Sequence, residues 1–209
     1  STFNELCREG RYSAVGINFG FHEGILRQAI LGLTGSSESV PLLIAEVMQT
    51  MVNASVMIRY LREQISQDFV SLDPEAIHYM GISNGGTFGY LFGATTLEVE
   101  RAVFVVGGAG LSHFLQRATQ WSELGYLVTS RYPHAPDLQI FLSLLQMVID
   151  PVDPANYMDH LVEPRFAGRA PLRSQLHMAL NDSQVHNLVT EWVARSANIP
   201  MITPSPKEI

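Results

Sequence analysis

One short motif constrains this chain more than any other: Gly81-Ile-Ser-Asn-Gly85, followed by Gly86. It follows an apolar stretch at 76–80 that predicts a strand, and it precedes a small, apolar stretch at 85–95 that predicts a helix. A serine flanked by glycines between a strand and a helix is typical of a sharp turn that exposes its Oγ at the carboxyl end of a sheet. The motif therefore indicates a nucleophilic Ser83. The alternative is a Gly-rich turn with an incidental serine, since so short a pattern also arises by chance.

Strands and helices alternate along the rest of the chain. The pattern predicts strands at residues 12–19, 76–80, 99–106 and 173–180. It predicts helices at residues 24–33, 41–67, 85–95 and 185–196. This order predicts an α/β fold, with a mostly parallel sheet covered by helices on both faces. Residues 111–165 show no clear strand and are interpreted as a helical cap inserted into a single domain of residues 1–209.

Composition excludes several classes of partner and cofactor. The 209 residues carry a net charge of −7 with only 13 Lys and Arg, which disfavours nucleic acid because no basic stripe exists to neutralise phosphates. The single Cys7 excludes an internal disulfide framework, and no cluster of His, Asp or Glu has the spacing of metal ligands, so no metal is predicted. No run of 18 apolar residues and no secretory leader are found, which predicts no membrane span.

Three segments together resemble the α/β-hydrolase superfamily, specifically bacterial serine esterases and lipases: residues 77–86, 99–108 and 181–185. The resemblance extends from residue 12 to about residue 199, and it matches the four predicted strands to the family's fourth to seventh strands. In this family the nucleophile, the acid and the histidine follow one another in that order along the chain. The resemblance therefore implies Ser83 as nucleophile, Asp182 as acid and the backbone N–H of Asn84 as one oxyanion donor. It implies no cofactor, and a small-molecule or lipid ester as substrate.

The chain departs from the family at the catalytic histidine. His186 is the only histidine after Asp182, and it falls near the start of a predicted helix, where a capping role is expected instead. The other histidines precede Asp182: His22, His78, His113, His134, His160 and His177. His78 and His177 are expected to be core residues of strands, whereas His113 is a candidate for the border of the site.

The front of the family's fold is also unrecognisable. Its first three strands are missing, together with the loop that supplies the second oxyanion donor, for which residues 20–24 are the candidate replacement. Asp150 is the second candidate acid, although with Asp153 it lies in a Pro-rich stretch that predicts a turn.

We therefore expect a serine hydrolase that cleaves carboxylic esters, with this chain as the core of a longer protein that supplies the histidine. A peptidase or an acyltransferase would use the same residues. The alternative is a noncatalytic binding protein with the same fold, or an inactive fragment of a longer hydrolase. Exported relatives favour a secreted or periplasmic location, and the oligomeric state stays open.

Overall fold

The structure, a computed structural model, describes residues 5, 7–8, 12–17, 39–68, 72–163 and 166–204, without the side chains of residues 39, 66, 68, 123 and 124. Its strands are β1 (Tyr79–Ile82), β2 (Arg101–Val105) and β3 (Arg173–His177). Its helices are α1 (Ser39–Asp68), α2 (Asn84–Thr95), α3 (Leu111–Arg117), α4 (Trp121–Arg131), α5 (Ala135–Ile149), the 3-10 helix η1 (Pro154–Tyr157), α6 (Asp159–Val162) and α7 (Asn187–Ser196).

The three strands form one parallel sheet in the order β1-β2-β3. The register aligns Ile82 with Val105 and Val105 with His177, so the three strands end in one row. Parallel neighbours need crossover connections, and these contain α2 between β1 and β2 and the helices α3 to α6 between β2 and β3. The predicted α/β class with a parallel sheet is therefore confirmed.

One face of the sheet, which we call the covered face, carries the main core. Phe104 at its centre is fully buried and contacts the rings of Tyr90 and Tyr79, with centroids 4.6 Å and 6.0 Å away. The buried cluster around Phe104 includes residues of α1, α2 and α7, among them Ile58, Phe92 and Val193. The helices that pack on the sheet therefore share one side of it.

The opposite face, which we call the open face, carries Met80, Ile82, Val103, Val105 and His177. Ile82 is 44% exposed, and Met80, Val103 and Val105 are only partly buried and join none of the buried clusters that the described residues form. The chirality of the connections explains this, because two right-handed crossovers that advance in the same direction put their helices on the same face. The expectation of helices on both faces is therefore wrong for the part of the chain that the structure describes.

The long helix predicted at 41–67 is confirmed as α1. Apolar residues at helical spacing form its buried side: Val40, Leu43, Val47, Ala54 and Ile58. Near the end of α1, the guanidinium groups of Arg59 and Arg62 hold the buried carboxylate of Glu98 at 2.6 Å and 2.7 Å. These ion pairs tie α1 to the turn that precedes β2.

A 26-residue part of α1, Val40–Ile65, is long and apolar enough to cross a membrane, by length and composition alone. Core helices and signal sequences pass the same test, so the finding is only weak support for a membrane span.

Arg169 fastens the inserted helices to α2. The buried guanidinium donates hydrogen bonds to the carbonyls of Gly93 and Ala94 at the end of α2, and to those of His160 and Leu161. Burial lowers the pKa of Arg169. These carbonyls lie at helix ends, where backbone acceptors lack partners and a cation is favourable.

Most predicted elements are confirmed, with shorter strands. Residues 12–17 form no strand, and residues 12–16 are exposed, so this part of the strand predicted at 12–19 is wrong: its β-rich sequence pairs with no strand among the described residues. Residues 18–19, the helix predicted at 24–33 and the turn at 20–24 lie outside the described residues. Residues 111–163 are mainly helical, as predicted for the insertion.

Candidate active site

Ser83 has a strained backbone. It occupies the single residue between β1 and α2, with φ 55° and ψ −116°. This positive φ is rare for a residue with a side chain and costs about 1–3 kcal/mol. Two hydrogen bonds hold it: the N–H of Ser83 donates to the carbonyl of Val105 at 2.9 Å, and its carbonyl accepts from the N–H of Thr87 at 2.9 Å. The half-buried Ser83 therefore forms the strained strand-to-helix turn that the motif predicts.

The glycines of the motif have different roles. At Gly81 a Cβ would overlap the carbonyl of Gly85, and at Gly86 it would lie 2.8 Å from the carbonyl oxygen of Val105. At Gly85 the nearest atom to such a Cβ is the Tyr79 hydroxyl, at 3.9 Å. Close backbone packing therefore requires glycine at 81 and 86, whereas position 85 has room for a methyl group.

The segment after β2, residues 106–110, which we call the β2 loop, lies directly against this turn. Val106 also has a positive φ, 46°, which is unusual for a β-branched residue, and its N–H donates to the carbonyl of His177 at 2.8 Å. At Gly107 a Cβ would lie 2.6 Å from the carbonyl carbon of Gly86. The turn at Ser83 and the β2 loop therefore touch backbone to backbone.

Two tyrosines, the half-buried Tyr79 and the fully buried Tyr90, donate hydrogen bonds to these segments. The Tyr79 hydroxyl donates to the carbonyl of Gly85 at 2.7 Å, and the Tyr90 hydroxyl donates to that of Gly107 at 3.3 Å. Burial raises the pKa of both phenols well above their usual range, so they stay protonated and remain donors at neutral pH.

Asp182 lies at the same edge of the sheet, five residues after β3. Its half-buried carboxylate accepts hydrogen bonds through Oδ1 from the N–H groups of Gln184 and Val185, at 2.8 Å and 2.9 Å. Oδ2 accepts none from the described residues. Ser83 follows β1 and Asp182 follows β3, and these two strands lie two strand spacings, or roughly 10 Å, apart. The described residues form no hydrogen bond between Asp182 and Ser83.

His186 caps a helix, as the sequence predicts. Its Nδ1 accepts a hydrogen bond from the N–H of Leu188 at 3.2 Å, at the start of α7. This bond occupies the ring nitrogen nearest the backbone and holds the exposed ring at the helix end.

The other described histidines do not bond to Ser83 or Asp182. His78 precedes β1, at the far end from Ser83, and His177 ends β3. Both are exposed, so the expectation of core histidines is wrong; His177 lies on the open face of the sheet. The ring of His113 lies 6.3 Å from that of Trp192. His22 lies outside the described residues.

The backbone N–H of Asn84 is the candidate oxyanion donor. Asn84 is the first residue of α2, and the first N–H groups of a helix have no partner within the helix. Their partial positive charge suits a developing oxyanion. The second donor expected from residues 20–24 lies outside the described residues.

The second candidate acid takes a structural position. The Asp150 carboxylate accepts a hydrogen bond from Nε2 of Gln146 at 2.8 Å, and among the described residues no hydrogen bond joins it to Ser83. Its neighbour Asp153 is completely buried and bonds to the β2 loop. The sequence predicts only a turn at Asp153, because two of its hydrogen-bond partners, Gly110 and Leu111, lie more than 40 positions earlier in the chain. The described residues contain no group of three or more His, Cys, Asp or Glu able to hold a metal ion.

Comparisons of the chain with protein-family models, with curated proteins and with solved structures found no match.

Proposed function

We propose that this chain is the core of a serine hydrolase of the α/β-hydrolase fold, one that cleaves carboxylic esters through an acyl-enzyme on Ser83. The observation that carries the proposal is the backbone of Ser83, with φ 55° and ψ −116° in a one-residue turn between a parallel strand and a helix. A strained serine at that place has a functional explanation and no evident structural one.

The surroundings of Ser83 support the same chemistry. The helix that starts at Asn84 directs unpartnered N–H groups to the carboxyl edge of the sheet, where charge would develop on a substrate carbonyl. Asp182 follows β3 at the same edge, with one carboxylate oxygen held by backbone and the other available. In this proposal residues 1–209 belong to one domain and residues 111–165 form its cap.

The reaction proceeds in two steps. Ser83 Oγ attacks the ester carbonyl while a base takes the hydroxyl proton, and the N–H of Asn84 stabilises the oxyanion; the alcohol then leaves with that proton. Water next attacks the acyl-enzyme with the help of the same base, which releases the acid and restores Ser83. Asp182 orients the base, a histidine supplied from outside the described residues.

The second candidate is a noncatalytic protein on the same fold. It is favoured by one observation: no histidine among the described residues bonds to Ser83 or Asp182. The two candidates differ in whether a base reaches Ser83.

The decisive experiment is the intact mass of the protein after exposure to a fluorophosphonate probe, with and without added imidazole. The proposal expects one adduct that is lost in Ser83→Ala and retained in Ser143→Ala, which removes an exposed hydroxyl on α5. An adduct without imidazole indicates that the chain supplies its own base, whereas one that requires imidazole indicates a base from outside it.

No adduct in either condition, on a folded protein, would favour the noncatalytic candidate. An adduct that persists in Ser83→Ala would contradict the assignment of the nucleophile.

A further inference from the structure

The Asp153 carboxylate is completely buried and accepts four hydrogen bonds. Oδ1 accepts from the N–H groups of Gly110 and Ala155, both at 2.9 Å. Oδ2 accepts from the N–H of Leu111 at 2.6 Å and from Nε2 of Gln146 at 2.8 Å. Both oxygens are thus satisfied, although no cation pairs with Asp153 among the described residues.

A turn alone does not require this arrangement. The bond from Ala155 is the local one that caps η1, and it is what an Asp before a proline commonly makes. The bonds from Gly110 and Leu111 reach back 43 and 42 positions, to the point where the β2 loop enters α3. Burying a carboxylate is costly unless hydrogen bonds compensate for the lost water. The compensation here comes mainly from the end of the β2 loop, from the first residue of α3 and from Gln146.

Gln146 binds the next backbone N–H after those of Gly110 and Leu111, that of Ser112. Its Oε1 accepts from the N–H of Ser112 at 3.0 Å, while its Nε2 donates to Asp153. Three successive N–H groups, from Gly110 to Ser112, are therefore held by side chains of the insertion. The last residue of the β2 loop cannot move without breaking these bonds.

The other end of the β2 loop is fixed to the turn at Ser83. The N–H of Gly108 donates to Oγ1 of Thr87 in the first turn of α2 at 3.1 Å, and the carbonyl of Gly107 accepts from Oγ1 of Thr190 at 2.7 Å. The N–H of Ser83 donates to Val105, immediately before the loop. A displacement of the loop would therefore be transmitted to Ser83, because Gly86 and Gly107 leave no space between the two segments.

We propose that Asp153 is a positioning residue for Ser83: through Gly110 and Leu111 it fixes the β2 loop, and the loop in turn fixes the strained turn that presents the nucleophile. This inference rests on the proposed function. Asp153 acts through the loop and does not contact the reacting atoms.

The test is Asp153→Asn, which keeps the shape of the side chain but turns an acceptor oxygen into a donor facing other donors. We expect the inactivation rate of Ser83 at saturating fluorophosphonate to fall roughly 10- to 100-fold, because small displacements at a reacting centre cost that much. The probe concentration for half-maximal rate should stay within about twofold, since the probe's binding contacts are unchanged. Hydrogen exchange at Gly110 and Leu111 should accelerate.

Asp159→Asn is the matched control, the same substitution at an exposed position six residues further on, and it should change none of these quantities. Gln146→Ala is the second variant, in case Asp153→Asn does not fold. It removes the hydrogen bonds of Gln146 to Asp153, Ser112 and Asp150, and it should lower the same rate by a smaller factor.

Faster exchange in Asp153→Asn with an unchanged inactivation rate would overturn the inference, and so would a loss confined to probe binding. If Asp153→Asn is unfolded, an unchanged rate in Gln146→Ala overturns it. A wild-type protein that forms no adduct, either alone or with imidazole, would refute the proposed function and this inference with it. A failure of this inference alone is distinguishable, because the wild-type protein then still reacts with the probe.

Discussion

Two residues with positive φ lie side by side at the carboxyl edge of the sheet. Ser83 follows β1 with φ 55°, and Val106 follows β2 with φ 46°. Such conformations cost about 1–3 kcal/mol each and persist only where surrounding contacts enforce them. The hydrogen bond from Ser83 to Val105 and the bond from Val106 to His177 supply that enforcement. The strained backbone therefore lies where the proposed chemistry takes place.

The strain at Ser83 predicts an inverted preference between glycine and alanine. Ser83→Gly should be more stable than Ser83→Ala by about 1 kcal/mol, because glycine adopts a positive φ without strain. At Ser143, in the exposed middle of α5, alanine should be the more stable by about 1 kcal/mol, since helices favour it over glycine. Urea denaturation of the four variants measures both differences. The same preference at both positions would contradict the strained turn.

The neighbouring glycines predict a second contrast, one that the motif alone would not suggest. Gly86→Ala should lower the free energy of unfolding by about 2 kcal/mol or more, because its Cβ would meet the carbonyl of Val105 and the backbone of Gly107. Gly85→Ala should be neutral or stabilising by up to ~1 kcal/mol, since it improves helix propensity in open space. Thermal melts of the two variants decide between these outcomes, and equal losses would rule out the close contact at Gly86.

At the scale of elements, the ion pairs of Glu98 join α1 to the turn between α2 and β2. Burial of the carboxyl raises its pKa, but hydrogen bonds from Arg59 and Arg62 outweigh burial and hold the pKa of Glu98 below its usual range. Arg62 also donates to the carbonyl of Glu98 at 3.0 Å. A carboxyl with a lowered folded pKa contributes stability above its unfolded pKa and loses it as the pH falls through the folded value.

Glu98→Gln should therefore lower the free energy of unfolding by about 1–2 kcal/mol at pH 7, since it removes a buried, hydrogen-bonded charge. The difference from wild type should shrink as the pH falls below about 4, the ordinary pKa of a glutamate in the unfolded chain, toward the lower pKa of the folded carboxyl. Glu100→Gln, at an exposed position two residues later, should change stability by less than ~0.5 kcal/mol. Urea unfolding from pH 3 to 8 provides the measurement. A difference independent of pH would exclude the charged pairs as its cause.

At the scale of the whole molecule, the two faces of the sheet differ. Parallel sheets occur almost always with both faces covered, because their connections place helices there. Here both crossovers advance from β1 to β3, so right-handed connections put the helices on one side. To cover the open face, a crossover connection must add its strand in the opposite direction, from β3 towards β1. In the proposed longer hydrolase, residues outside the described ones would form that connection.

The two faces predict different costs for the same substitution. Val193→Thr, in the fully buried cluster behind the covered face, should cost about 1–3 kcal/mol, because a hydroxyl enters an apolar core. Val103→Thr, on the open face, should cost less than ~0.5 kcal/mol, because the hydroxyl keeps contact with water. Chemical denaturation of both variants tests this. Equal costs would mean that further chain covers the open face.

Local patterns predicted the elements that depend on local physics. The apolar spacing of α1, the strand before Ser83 and the glycines around it all follow from neighbours within a few residues, and the structure has each of them. The strand predicted at 12–19 fails in residues 12–17, because a strand needs a partner and β propensity cannot supply one. The prediction that His78 and His177 are core residues fails for a related reason, since the burial of a strand residue depends on what covers the sheet.

The sequence by itself determined the alternation of strands and helices, the position of the turn at Ser83 and the capping role of His186, because spacing and backbone preference act over one or two turns of chain. Tertiary structure alone decided which glycines are indispensable, which face of the sheet is covered and what Asp153 does. Each of those depends on atoms brought together from positions far apart, as when the carboxylate of Asp153 meets the N–H of Gly110 across 43 residues. No local sequence pattern predicts such a contact, since only the packing of the folded chain brings the two groups together.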